Sequence, residues 1–321
     1  MDGLRKSRAR RRVRTRVALF LSLASLAGLY GLRLLGMVLR VSGLSAVALS
    51  TAGTLLCFLL PALAGLFMLD GDQHRMIALR ALSAQHMLCL AAAGALFIGP
   101  AALLAELPGA ALRLCGVELA QTAASAPDSG LFLPMLLQSA LLAPICEELF
   151  FRGYLMGAFA RAGRGKAAAA AALLFAAAHG VDAAFLPRFL FGCLLGEMAQ
   201  RTGSILAPML MHGCYNAAVL LVSFSGLKPA GNSLLFCVLG LMSAVLCFAM
   251  VARVYRARAN RAPVEWGGAL SRKEMAKIAA AVLAVIAAVI VSGLPTVKCR
   301  TDSLLTCWPF FRRAVQPMVT V

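Results

Sequence analysis

Long apolar runs separated by short polar ones dominate the chain. Nearly uncharged stretches recur at 17–39, 44–69, 85–105, 131–159, 167–180, 185–200, 204–222, 232–252 and 275–294. A hydrocarbon core of roughly 30 Å is crossed by about 20 helical residues, and most of these runs have that length. They are continuous and rich in Ala and Leu, whereas a membrane barrel would show short strands alternating apolar and polar positions. The pattern predicts an all-α polytopic transmembrane bundle of about 8–9 helices. The run 167–180 is too short for an ordinary crossing and opens on an alanine tract, and Gly192 and Gly196 form a G-x-x-x-G pair in the next run. Small residues at such spacing let helix backbones approach, so 131–222 is expected to be the packed centre.

Composition moves the solvent of this chain from water to lipid. Of 321 residues 61% are hydrophobic and 14% charged, with a mean hydropathy of +0.85, outside the range of a soluble globular protein. The net charge of +18 does not indicate nucleic acid, because the basic residues sit beside apolar runs and not in a folded basic domain. Eight of the twelve residues from Arg5 to Arg16 are Arg or Lys, directly before the first run, as expected for an uncleaved anchor with a cytoplasmic N-terminus in the cell membrane. Arg75 and Arg80, then Arg161, Arg164 and Lys166, then Arg201, then 253–277 alternate on that same side. Residues 106–130, more acidic, form the main external loop. The chain thus divides into a basic cytoplasmic segment (1–16), N-terminal helices and external loop (17–129), a central unit (130–222), and C-terminal helices with a tail (223–321). Most of the ten cysteines lie in apolar runs as small hydrophobes, with no C-x-x-C pair, and Cys299 and Cys307 are the pair that an oxidising compartment would allow to bridge.

Two adjacent carboxylates, Glu147 and Glu148, interrupt a run that is otherwise apolar from Leu131 to Phe151. An acidic side chain at a membrane helix centre costs about 2.5–3.5 kcal/mol or more, so the pair needs partners or a polar cavity. Arg152 lies four residues after Glu148, on the same face, while Glu147 points about 100° away. His179 ends the alanine-rich run, and His212 and Asn216 share one face of another. Polar groups from three helices are expected to converge inside the bundle. A carboxylate assisted by an imidazole can take a proton from water while neutral donors stabilise an oxyanion, which is amide-hydrolysis chemistry. The same Glu/His/His inventory can hold zinc with one open position, and the residue types do not separate the two. Arg33, late in the first run, is expected to reach the interface or pair with an acid in the bundle.

Glu147-Glu148-x-x-x-Arg152, Phe175-x-x-x-His179 and His212-x-x-x-Asn216 resemble the three motifs of the CAAX protease and bacteriocin-processing (CPBP, or Abi) family of intramembrane endopeptidases, which includes type II CAAX prenyl endopeptidases. Gly196, Thr202-Gly203-Ser204-Ile205 and Pro208 add to the likeness, which covers 130–222. The resemblance implies about eight transmembrane helices with an internal catalytic cavity. It implies that Glu147 and His179 activate water, that His212 and Asn216 stabilise the oxyanion, and that Glu148 and Arg152 support the site. The implied partners are a peptide or membrane-protein substrate and membrane lipids, with no nucleic acid. The residue set leans to no obligatory metal, with a divalent ion such as zinc on Glu147, His179 and His212 as the alternative. From another function class, the same chain would be a non-proteolytic membrane immunity or scaffolding protein that keeps the motif residues.

Overall fold

The computed structural model describes residues 2–67, 80–114, 128–180, 182–225 and 234–257. They form eight helices and no strand: α1 (Asp2–Val38), α2 (43–67), α3 (84–114), α4 (129–162), α5 (Arg164–His179), α6 (Phe185–Thr202), α7 (Leu206–Phe224) and α8 (Leu234–Ala257). Stretches within α1, α2, α3, α4, α7 and α8 are long and apolar enough to cross a membrane, and the protein is an all-α integral membrane bundle. The run 275–294, Cys299 and Cys307 lie outside the described residues. The expected external loop begins later than its composition suggests, because α3 continues through Pro108 to Leu114. The Glu106 and Pro108 that mark it as a loop are tolerated in the last turns of a membrane helix.

The bundle is apolar outside as well as inside, as lipid solvent demands. Leu234 and Phe248 of α8 are 81% and 73% exposed. Inside, two apolar clusters divide the helices. One joins α1, α2, α4 and α5 around Phe58, Phe150, Phe151, Tyr154 and Phe175. The other joins α3, α6, α7 and α8 around Leu90, Phe97, Phe191, Leu195 and Met211. The motif residues lie where the two clusters meet.

The small residues act where the sequence places them. A Cβ on Gly192 would stand 2.9 Å from the Ala172 Cβ, and one on Gly196 3.1 Å from the Ala168 Cβ. The α6 glycines therefore bring its backbone onto the alanine face of α5. Gly163 (φ 93°) and Gly180 (φ 120°) bracket α5 in conformations that residues with a Cβ rarely adopt. At 1.5 Å per residue the 16 residues of α5 span about 24 Å, so a helix starting at one membrane surface ends, at His179, within the hydrocarbon thickness.

Candidate active site

Helix α4 carries both glutamates on a short α-helical stretch, Ala143–Glu148, between two widened turns at Leu137–Leu142 and Leu149–Leu155. Such i→i+5 turns hold an extra residue, re-aim the side chains beyond them, and recur at functional sites. Pro144 fixes the local hydrogen bonding. The Ala143 N–H reaches back five residues to the Gln138 carbonyl; Pro144, next in the same pattern, has no N–H to offer Ser139. Asn216 of α7 supplies it instead, its Nδ2 donating to the Ser139 carbonyl at 2.7 Å. Gly213, three residues earlier on α7, closes on the neighbouring Ala140 carbonyl, where a Cβ would come within 2.5 Å of the oxygen.

Glu148 and Glu147 meet different fates, as their angular separation requires. Glu148 is fully buried, and its Oε1 accepts from Arg152 Nη1 at 2.7 Å and faces His212 Nδ1 at 2.9 Å. Arg152, also buried, donates from Nη2 to the Gly192 carbonyl of α6 at 2.9 Å and lies 4.7 Å from the Phe175 ring centroid. Its guanidinium thus ties α4 to α6, and Glu148 ties α4 to α7. Charge-assisted contacts of this kind satisfy a cation that lipid would otherwise expel.

Glu147 faces α5. Its Oε2 is buried with no hydrogen-bond partner and stands 3.6 Å from His179 Nε2, beyond hydrogen-bonding distance. His179 Nδ1 lies 2.8 Å from the Phe175 carbonyl. A carbonyl only accepts, so Nδ1 carries a proton, and in the neutral ring Nε2 is the lone-pair nitrogen facing Glu147. The Phe175 side chain organises the whole site. Its ring packs on His179 at 4.6 Å and edge-on to His212 at 5.4 Å, while Phe191 holds the other side of His212 at 5.9 Å.

The six motif residues are therefore brought together as a polar pair, a polar trio and a tether. Glu147 stands with His179, Glu148 with Arg152 and His212, and Asn216 with the backbone of α4. The separation of the two carboxylates and the Glu148–Arg152 pair follow the sequence reading. The His212–Glu148 contact and the Asn216 tether were not legible there, because they depend on helix rotation and on the carbonyl that Pro144 leaves without a donor. Phe191, Gly192 and Tyr30 also belong to the site's surroundings, and only the Gly192 spacing gave a signal. Asp182 and Arg188 pair with each other at 2.7 Å.

Among the described residues no three His, Cys, Asp or Glu side chains stand close enough to ligate one ion. Glu148 Oε1 and His212 Nδ1 face each other, which leaves Glu147 Oε2, Glu148 Oε2 and the Nε2 atoms of His179 and His212 as the remaining donor atoms. A catalytic zinc is held by three protein ligands, and in this geometry no three of these groups converge on one point.

No curated protein and no solved structure matches the chain. Residues 129–218, under a third of the chain and holding all three motifs, match the family model described as Type II CAAX prenyl endopeptidase Rce1-like, which supports the CPBP/CAAX protease family.

Proposed function

We propose that the protein hydrolyses a peptide bond of a membrane-associated or peptide substrate, using a water activated by Glu147 and His179. The family match supports a CAAX-type intramembrane protease in general terms. What favours the specific mechanism is Glu147 Oε2: a buried carboxylate oxygen without a hydrogen bond, opposite the lone-pair nitrogen of His179. A water held between them can give its proton to this pair as its oxygen attacks the carbonyl carbon. The tetrahedral oxyanion is then met by an Nε2–H of His212, which requires the ring to hold both protons because Nδ1 donates to Glu148, and by the Nδ2 hydrogen of Asn216 that is not spent on Ser139. Glu148 and Arg152 position His212 and do not touch substrate. The reaction is proposed to run without an obligatory metal. The basic N-terminal segment supports an N-terminus on the cytoplasmic side of the cell membrane.

The test compares membrane and secreted peptides of cells carrying wild-type protein with cells carrying Glu147→Ala, His179→Ala or His212→Ala. Each variant should lose processing by a factor of about 10² or more at normal membrane abundance. Unchanged processing in the Glu147→Ala cells refutes the mechanism. Rescue of a deletion phenotype by Glu147→Ala would instead mark a non-proteolytic membrane partner.

A further inference from the structure

Arg33 lies on α1, outside the family-matched segment, yet at the register that faces the site. The buried positions Thr15, Ala18, Ser22, Ser25 and Leu26 recur at steps of three and four residues. Leu29 and Arg33 continue that row, and Leu29 packs on the inner cluster. The Arg33 side chain accordingly leaves α1 toward the bundle, with its guanidinium carbon 5.2 Å from the centroid of the Tyr30 ring. Tyr30 is itself anchored, its hydroxyl donating at 2.6 Å to the carbonyl of Ala177, two residues before His179. Arg33 and Tyr30 therefore form a fixed unit against the end of α5 that carries the histidine.

Charge balance singles out Arg33 at this end of the site. Arg188 is matched by Asp182, whose Oδ1 also accepts from the Ala184 N–H and so fixes the entry to α6. Arg33 has no carboxylate within ion-pair distance among the described residues, although its charge interacts with Glu147, Asp182 and Arg188. An inward-facing cation at membrane depth without an acidic partner is a site for an anion, and a guanidinium matches a carboxylate with two parallel hydrogen bonds.

We propose that Arg33 binds the free C-terminal carboxylate of the peptide substrate and so positions the scissile bond over Glu147 and His179. The inference rests on the protease reading above. It has α1, outside the matched segment, supply a specificity residue.

The test uses the full-length protein in lipid nanodiscs and two probes: a prenylated Cys-aliphatic-aliphatic-X peptide with a free carboxylate, and its C-terminal amide. Wild type should favour the acid in kcat/KM by on the order of 10- to 100-fold. In Arg33→Gln the acid-to-amide ratio should fall to near one, chiefly through KM, while Arg33→Lys keeps part of the preference. Thermal unfolding of each variant checks that the bundle is intact. Equal rates on acid and amide by wild type, or an unchanged ratio in Arg33→Gln, overturn the role of Arg33. The protease reading survives that outcome if Glu147→Ala abolishes both cleavages. Cleavage of neither probe overturns the inference together with the reading beneath it.

Discussion

Replacing Arg152 should damage the protein through its fold before its chemistry. The guanidinium is buried, pairs with the fully buried Glu148 at 2.7 Å, and reaches the Gly192 carbonyl at 2.9 Å. Arg152→Met removes one partner of a buried ion pair and leaves Glu148 with His212 alone. Breaking such a pair from one side costs about 3–5 kcal/mol, a shift of roughly 150- to 5,000-fold in the folding equilibrium. Glu148→Met strands the guanidinium and should cost a similar amount. The double variant Glu148→Met/Arg152→Met removes both charges at comparable volume, so it should be about 2 kcal/mol or more better than the sum of the single costs. Equilibrium unfolding in mixed micelles measures all four proteins. Single costs under about 1 kcal/mol, or strict additivity in the cycle, would refute the reasoning. Glu147 provides the contrast. Because its Oε2 has no hydrogen bond, Glu147→Gln should leave stability unchanged or raised while activity is lost, the stability–function opposition expected of a catalytic carboxylate.

Other expectations follow from the packing and the donor set. Gly192→Ala places a Cβ 2.9 Å from the Ala172 Cβ and 3.2 Å from Arg152 Nη2, and should cost about 1–3 kcal/mol in the same unfolding assay. Gly196→Ala should cost less, since its Cβ meets Ala168 at 3.1 Å and the flexible Met156 thioether at 3.3 Å. Peptide cleavage should survive exhaustive dialysis against a chelator, measured with metal content on the same sample; activity lost to chelation and restored by zinc would falsify the metal-free reading.

How much of this was legible in the sequence depends on what each feature is made of. Hydropathy alone gives the helices, because a membrane span must be both long and apolar. The partition of the two glutamates was legible too, since residues one apart on a helix cannot face the same way and Arg152 is four from Glu148. The length of α3 was misread because Glu106 and Pro108 are loop-like by composition but helical in place. The widened turns of α4 leave no hydropathy signal, and the register change they introduce decides which carbonyls lack donors. Arg33 was visible as an anomaly, but its inward direction emerges only when the buried row on α1 is followed from Thr15 onward.

Asn216 is assigned both a tethering bond and a share in oxyanion binding, and the two roles can be separated through Pro144. The tether exists because proline withholds an N–H from the Ser139 carbonyl, which Asn216 satisfies at 2.7 Å. Asn216→Ala leaves that carbonyl without a donor inside the bundle, at a cost of about 1–3 kcal/mol. Pro144→Ala restores a backbone N–H five residues along the widened turn, so in the Asn216→Ala background it should recover most of that loss. The coupling between the two substitutions isolates the shared carbonyl from whatever Pro144→Ala does to the helix by itself. Activity then separates the roles. If Asn216 also addresses the oxyanion, the double variant regains stability and remains slow, with kcat lowered and KM little changed. Recovery of kcat along with stability would reduce Asn216 to a structural tether, and absence of stability coupling would refute the account of Pro144.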